Sequence, residues 1–206
     1  MQTQAVRERT RSNPILVVAA AVAVVSGCGP NAVARNFESH YQARTRVVAI
    51  APLANYSTSP EGAAAGQAIR KAIFHELIKH QDRYTVTIQD LAETDKRIHA
   101  SGMSDSSATR LAGIDLCKMI GADAVMKGSV TRYVKQGTGS QFANAVSMLF
   151  HLVNSEVKVD VAIFDGTDGK LVFQHSIEKD GDLLNARDEL LNKVGSALAG
   201  KFPYKK

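Results

Sequence analysis

Apolar positions along the chain follow two periods. Val47-Val48-Ala49-Ile50-Ala51-Pro52-Leu53 is a short, β-branched apolar run, which predicts a strand buried on both faces. A polar loop follows from Asn55 to Pro60. From about Glu61 to Lys79, Gly66, Ile69, Ile73 and Leu77 recur at helical spacing, with Arg70, Lys71 and His75 elsewhere on the helix surface. Tyr84 to Ile88 alternates as a second strand. A helix is predicted to start at Ser104 to Ser107, capped by a hydroxyl or by Asp105, and to run to Gly121 as the residue that ends it. Ala124 to Thr131 reads as a third strand. Val157, Val159, Val161 and Ile163 alternate with polar residues, then comes the turn sequence Asp165-Gly166-Thr167-Asp168-Gly169, then Leu171, Phe173, His175 and Ile177. That is a hairpin. A last helix, about Asp182 to Ala199, places Leu184, Leu191, Val194 and Leu198 together, and Gly200 and Pro203 end it. One-sided helices must cover a sheet, so the predicted class is α/β (α+β): a single mixed sheet with helices packed against it.

The N-terminus has a different pattern. Arg7, Arg9 and Arg11 face one acid, Glu8, and an uncharged run of 11 residues follows from Ile15 to Val25, ending in Val25-Ser26-Gly27-Cys28. A positive stretch, a short apolar stretch and small residues form a secretory signal peptide. A membrane-spanning helix needs roughly 20 residues, so this run suits cleavage rather than permanent anchoring. Val-Ser-Gly-Cys resembles a bacterial lipobox. The resemblance implies that Cys28 carries a diacylglycerol thioether and, with further palmitate-like acylation, becomes the first residue of the mature chain. Gly29 stands where an Asp would resemble an inner-membrane retention signal, so the expected location is the outer membrane with the body in the periplasm. The expected organisation is a signal peptide over 1–27, a flexible tether over 28–44, and one domain over 45–206 with an insertion over 136–154.

Composition then adds little that is specific. Cleavage before Cys28 removes a net two of the five formal positive charges, and the remaining Lys and Arg are scattered among acids. Nucleic-acid binding would want a basic stripe. With Cys28 acylated, Cys117 is the one thiol left, and its helical context reads as a small buried residue.

Three segments together resemble a group of envelope proteins: Arg46 to Asn55, Ile120 to Thr131, and Val161 to Val172. The group includes the N-terminal domain of TolB, CsgG-type curli-secretion lipoproteins, LpoB-type activators of penicillin-binding proteins, and lipoproteins of unassigned function, the last set being most similar. The resemblance spans roughly residues 46–178. It implies a non-enzymatic αβ domain that binds protein partners. Phe173 stands where the group's hairpin often has Trp. The curli-type pore needs long transmembrane hairpins, and Gln136 to Asn154 is tight for one.

Residues 142–153 place Phe142, Val146, Leu149, Leu152 and Val153 on one helical face. They are read as packed on the protein's own sheet, or alternatively as a contact surface for a partner or a second copy. Catalytic spacings do not emerge. His75 and His80 are five apart, about 140° around a helix, not the i, i+4 of a zinc peptidase. Gly137-Thr138-Gly139 lacks a phosphate-loop lysine, and Asp165 with Asp168 lacks calcium-loop spacing. No cofactor, metal, nucleic acid or small-molecule substrate is expected. The leading expectation is a lipid-anchored, non-catalytic interaction module in envelope assembly, transport or cell-wall regulation. A ring-forming secretion subunit and an unrecognised hydrolase are the alternatives.

Overall fold

The structure, a computed structural model, describes residues 31–57, 62–134, 155–181 and 187–206. Cys28, residues 142–153 and Gly137 to Gly139 lie outside the described residues, as does the start of the last helix.

Among the described residues, seven strands form one mixed sheet: β1 (Asn31–Val33), β2 (Val47–Ile50), β3 (Ala54–Asn55), β4 (Thr87–Ile88), β5 (Ala124–Val134), β6 (Ser155–Asp165) and β7 (Leu171–Gly181). The order across the sheet is β1-β7-β6-β5-β2-β4, with β3 continuing beside β5. β4, β2 and β5 are parallel, while β5, β6, β7 and β1 are antiparallel. The expected single mixed sheet with packed helices is therefore the observed fold.

Strand β2 is shorter than the apolar run Val47 to Leu53 that contains it. Pro52 has no N–H to donate, so the ladder lapses after Ala51 donates to the Met126 carbonyl (2.9 Å) and resumes at β3. β2 is covered on both sides, as its sequence requires. Val48 and Ile50 face a core shared with α1 (Gly62–Lys79) and α5 (Arg187–Lys201). Ala49 and Ala51 face a second cluster with Ile98, Leu116, Cys117 and Ile120, from α2 (Leu91–Ala100) and α4 (Gly113–Ile120).

Helix α2 was not anticipated. Its signals are local: the Asp90 side chain accepts from the Ala92 and Glu93 amides, and Thr94 and Ile98 are buried four residues apart. The long helix expected from Ser104 to Gly121 is two pieces, α3 (Asp105–Ala108) and α4, with Ser104 capping α3 and Gly121 in the left-handed region (φ 63°) closing α4. The strand expected over Tyr84 to Ile88 narrows to Thr87–Ile88, because Tyr84 bridges instead to Lys205 near the C-terminus.

Residues 28–44, expected as a tether, belong to the fold from Asn31 onward. β1 pairs antiparallel with β7, Asn31 opposite His175 and Val33 opposite Phe173. A helical segment, Phe37–Gln42, then buries Phe37 and Tyr41. Phe37 packs edge-on against Tyr204, and Tyr84 against Phe202, each pair 4.9 Å between ring centres. Two aromatic residues four apart in a polar-looking stretch were the available signal.

An extra residue at Thr131 shifts the β5–β6 register, so Val130 and Tyr133 both face the core while Arg132 turns outward to Glu156. The outer face of β5, β6 and β7 carries cross-strand charge pairs such as Arg132–Glu156 (2.7 Å) between β5 and β6 and Lys158–Glu178 (3.3 Å) between β6 and β7. Helices α1 and α5 approach so closely that a Cβ on Gly195 would lie 2.7 Å from the Ala72 carbonyl oxygen.

Candidate functional site

Where the described fold begins, three residues after Cys28, β1 forms one edge of the sheet. The Asn31 side chain meets Nδ1 of His175 across the pair, and the Ala34 amide donates to the Val172 carbonyl (2.9 Å). His175 is buried (8% exposed). Burial first, and then the charges of Lys201 and Lys179, push its pKa below the usual imidazole value. Val33, on the same strand, is more than half exposed at 55%. Arg35 is exposed just after it.

A second place of interest lies at the carboxyl ends of the parallel strands. The chain leaves β2 into α1 on one face and leaves β4 into α2 on the other. Open α/β sheets bind ligands in the crevice that this reversal creates. Here the protein fills it with its own cation. Arg70, expected on the helix surface, is 2% exposed. Its Nε and Nη2 donate to the Ile50 carbonyl (3.1 and 2.7 Å), and its Nη1 donates to Oδ1 of Asp95 on α2 (2.7 Å). The guanidinium thereby joins β2, α1 and α2.

Beside Arg70 is a cleft of about 610 Å3, lined by Pro52 to Tyr56, Gln67, Asp105 and Arg110 among others. Several of its polar groups are tied to neighbouring protein groups. Asp105 accepts from Gln67 Nε2 (3.1 Å) and lies 3.1 Å from His99 Nε2. Thr109 Oγ1 donates to the Ser106 carbonyl (2.8 Å). Among the described lining residues, no hydroxyl is hydrogen-bonded to a histidine or a carboxylate. Tyr56 stands at its lip, 72% exposed.

The histidines stay apart. His75 is exposed on α1, and His80 lies past the helix end with Nε2 4.0 Å from Oε2 of Glu76. Glu76, next to His75 in the sequence, has a structural role that the spacing does not reveal: it is buried, accepts from Ser196 Oγ (3.1 Å) and ties α1 to α5. The groove around it, about 550 Å3, carries Lys79, Arg83, Lys205 and Lys206. Lys205 Nζ donates to the Gly200 carbonyl and Lys206 Nζ to the Asp82 carbonyl (2.7 Å each). These cations answer carbonyls at helix ends, where positive charge is favoured.

The Asp165 turn is structural. Oδ1 and Oδ2 of Asp165 take a two-pronged grip from Arg44 (2.7 and 3.1 Å), and Oδ1 also accepts from the Thr167 and Asp168 amides (2.8 and 3.2 Å). Three protein donors thus converge on Oδ1 and one on Oδ2. Asp123 accepts from the Arg46 and Val47 amides (2.8 and 2.9 Å) and so fixes the start of β2, while Asp115 plays no part in that contact. Among the described residues no group of three or more His, Cys, Asp or Glu could hold a metal ion. Cys117 is buried, and desolvation pushes its thiol up to about 12. It is the small core residue that its helical context suggested. No described helix is long and apolar enough to cross a membrane.

No family model matches the chain, and no curated protein matches it. Among solved structures, the crystal structure of lipoprotein GNA1162 from Neisseria meningitidis is similar, at 18% identity and TM-score 0.52, covering 76% of this chain and 96% of that one. Likeness at lower TM-scores runs to the PelC dodecamer from Paraburkholderia phytofirmans (14% identity, 79% of this chain and 89% of that one, TM-score 0.45). It also runs to the LpoB C-terminal domain from Escherichia coli (12% identity, 66% of this chain and 82% of that one, TM-score 0.43). The chain has the fold of the Neisseria lipoprotein, a single mixed sheet with helices packed on it.

Proposed function

We propose that this protein is a bacterial envelope lipoprotein, anchored through an acylated Cys28, whose domain works by binding other proteins and not by catalysis. The observation that carries the reading is Val25-Ser26-Gly27-Cys28 directly after a short uncharged apolar run with arginines before it. The fold shared with a Neisseria lipoprotein supports it. So does the state of the described polar groups. Arg70, Asp105, Asp165 and Glu76 are each hydrogen-bonded to other groups of the same domain, as expected of a scaffold that presents surfaces. Two or more acyl chains hold a protein firmly, at about 0.8 kcal/mol per buried CH2. Gly29 rather than Asp after the anchor favours the outer membrane, with the domain in the periplasm.

The test is fractionation. Wild-type protein should pellet with membranes and resist salt and carbonate, and Cys28→Ser should appear in the soluble fraction or as an uncleaved precursor. Wild-type protein that stays soluble and unacylated would overturn the proposal. In-cell crosslinking of membrane-bound protein should then recover discrete protein partners.

A further inference from the structure

If Cys28 is the anchor, the fold leaves almost no tether. Resting on that reading, we propose that the β1–β7 edge of the sheet sits directly on the phospholipid surface, with β1 in the headgroup layer and the β4 edge pointing away from it.

The argument is one of chain length. Only Gly29 and Pro30 separate Cys28 from Asn31. Three peptide steps reach at most about 11 Å when fully extended. The headgroup layer on each side of a bilayer is itself roughly 5–7 Å thick. Asn31 is therefore held within the headgroup layer or at most about 4–6 Å beyond it, whatever path the two residues take.

β1 cannot swing free to lengthen the leash. It is paired along Asn31, Ala32 and Val33 with His175, Gln174 and Phe173, and the Ala34 amide extends the ladder. Phe37 and Tyr41 follow at once and are buried in the main core. Detaching β1 would uncover the sheet edge and the buried His175. Holding it fixes the domain against the anchor.

The chemistry of the edge suits the place. Val33 presents an exposed apolar side chain and Arg35 an exposed cation beside it, with Lys201 and Lys179 close enough to act on His175. Small apolar groups beside cations are what an anionic headgroup layer accepts. Across the sheet, β1 and β4 are five strand spacings apart, about 24 Å at roughly 4.8 Å each. The β4 edge and α2 are thus directed into the compartment, where protein partners can reach them.

The experiment uses full-length acylated protein in phosphatidylethanolamine–phosphatidylglycerol vesicles. Its intact mass is measured first. Single labels are placed by Val33→Cys on β1 and by Lys96→Cys on α2, since buried Cys117 will not compete for the reagent. Access of a water-soluble quencher to each label is then read. The proposal expects the Val33 label to lose most of that access in vesicles, the Lys96 label to keep it, and a Gly/Ser insertion between Pro30 and Asn31 to restore it at Val33. Full access at Val33 in an acylated protein would overturn the docking while leaving the lipoprotein reading standing. Equal protection at Val33 in unacylated Cys28→Ser protein without vesicles would assign the edge to a second copy and overturn it too. A mass without acyl groups would overturn both.

Discussion

Arg70 is the strongest handle on the fold. The substitution Arg70→Met keeps most of the aliphatic stem and removes the fork. Two donors leave the buried Ile50 carbonyl and one leaves Asp95. An orphaned buried carbonyl costs about 1–3 kcal/mol. The Asp95 carboxylate is 31% exposed, so its lost partner is partly replaced by water and contributes only about 1 kcal/mol. The expected sum is a loss of about 3 kcal/mol. With a urea m-value of about 2 kcal/mol/M, the midpoint falls by about 1.5 M. Urea unfolding of the Cys28→Ser background, followed by circular dichroism, reads this directly. Asp95→Asn alone should cost about 1 kcal/mol or less, and the double variant should show coupling. A loss below about 1 kcal/mol for Arg70→Met would refute the claim that this side chain joins β2, α1 and α2.

Three other perturbations are informative. His175 has a lowered pKa in the fold, so below about 6.5 the unfolded chain binds the proton first; stability is full above that pH and declines as pH drops toward the folded value. Amides of Asn31 to Val33 should therefore exchange faster at pH 5 than at pH 7.5 after correction for intrinsic rate, and His175→Gln should flatten the difference. Cys117, with its thiol held up at about 12, should resist alkylation at pH 8 in the native protein and react once urea unfolds it, as mass spectrometry would record. Gly195→Ala would press a Cβ onto the Ala72 carbonyl and should cost about 1–3 kcal/mol. Gly200→Ala, in open space on the same helix, should instead gain up to about 1 kcal/mol, and similar effects at the two sites would refute the close α1–α5 packing.

Strong periodicity was legible in the sequence, and so were the elements it encodes. The buried stripe Gly66, Ile69, Ile73 and Leu77, and the alternation Val157 to Ile163, are where the structure puts them. What escaped depended on partners distant in the chain. β1 is three residues long and has no periodicity of its own; it exists because β7 offers an edge 140 residues later. Tyr84, the first residue of the expected second strand, bridges instead to Lys205. Arg70 reads as surface because arginines usually are, and only the Ile50 carbonyl and Asp95 make its burial tolerable. Glu76 is the same case at the α1–α5 contact. Helix α2 is the exception, since its Asp90 cap and its Thr94 and Ile98 spacing were readable locally.

The central claim is the anchor on Cys28, and intact mass of the membrane-extracted protein tests it most directly. The account predicts a chain beginning at Cys28, heavier than residues 28–206 by a diacylglyceryl group and further acyl chains, with the addition lost in Cys28→Ser. A mass equal to the bare polypeptide, or to the uncleaved chain of 206 residues, would contradict it.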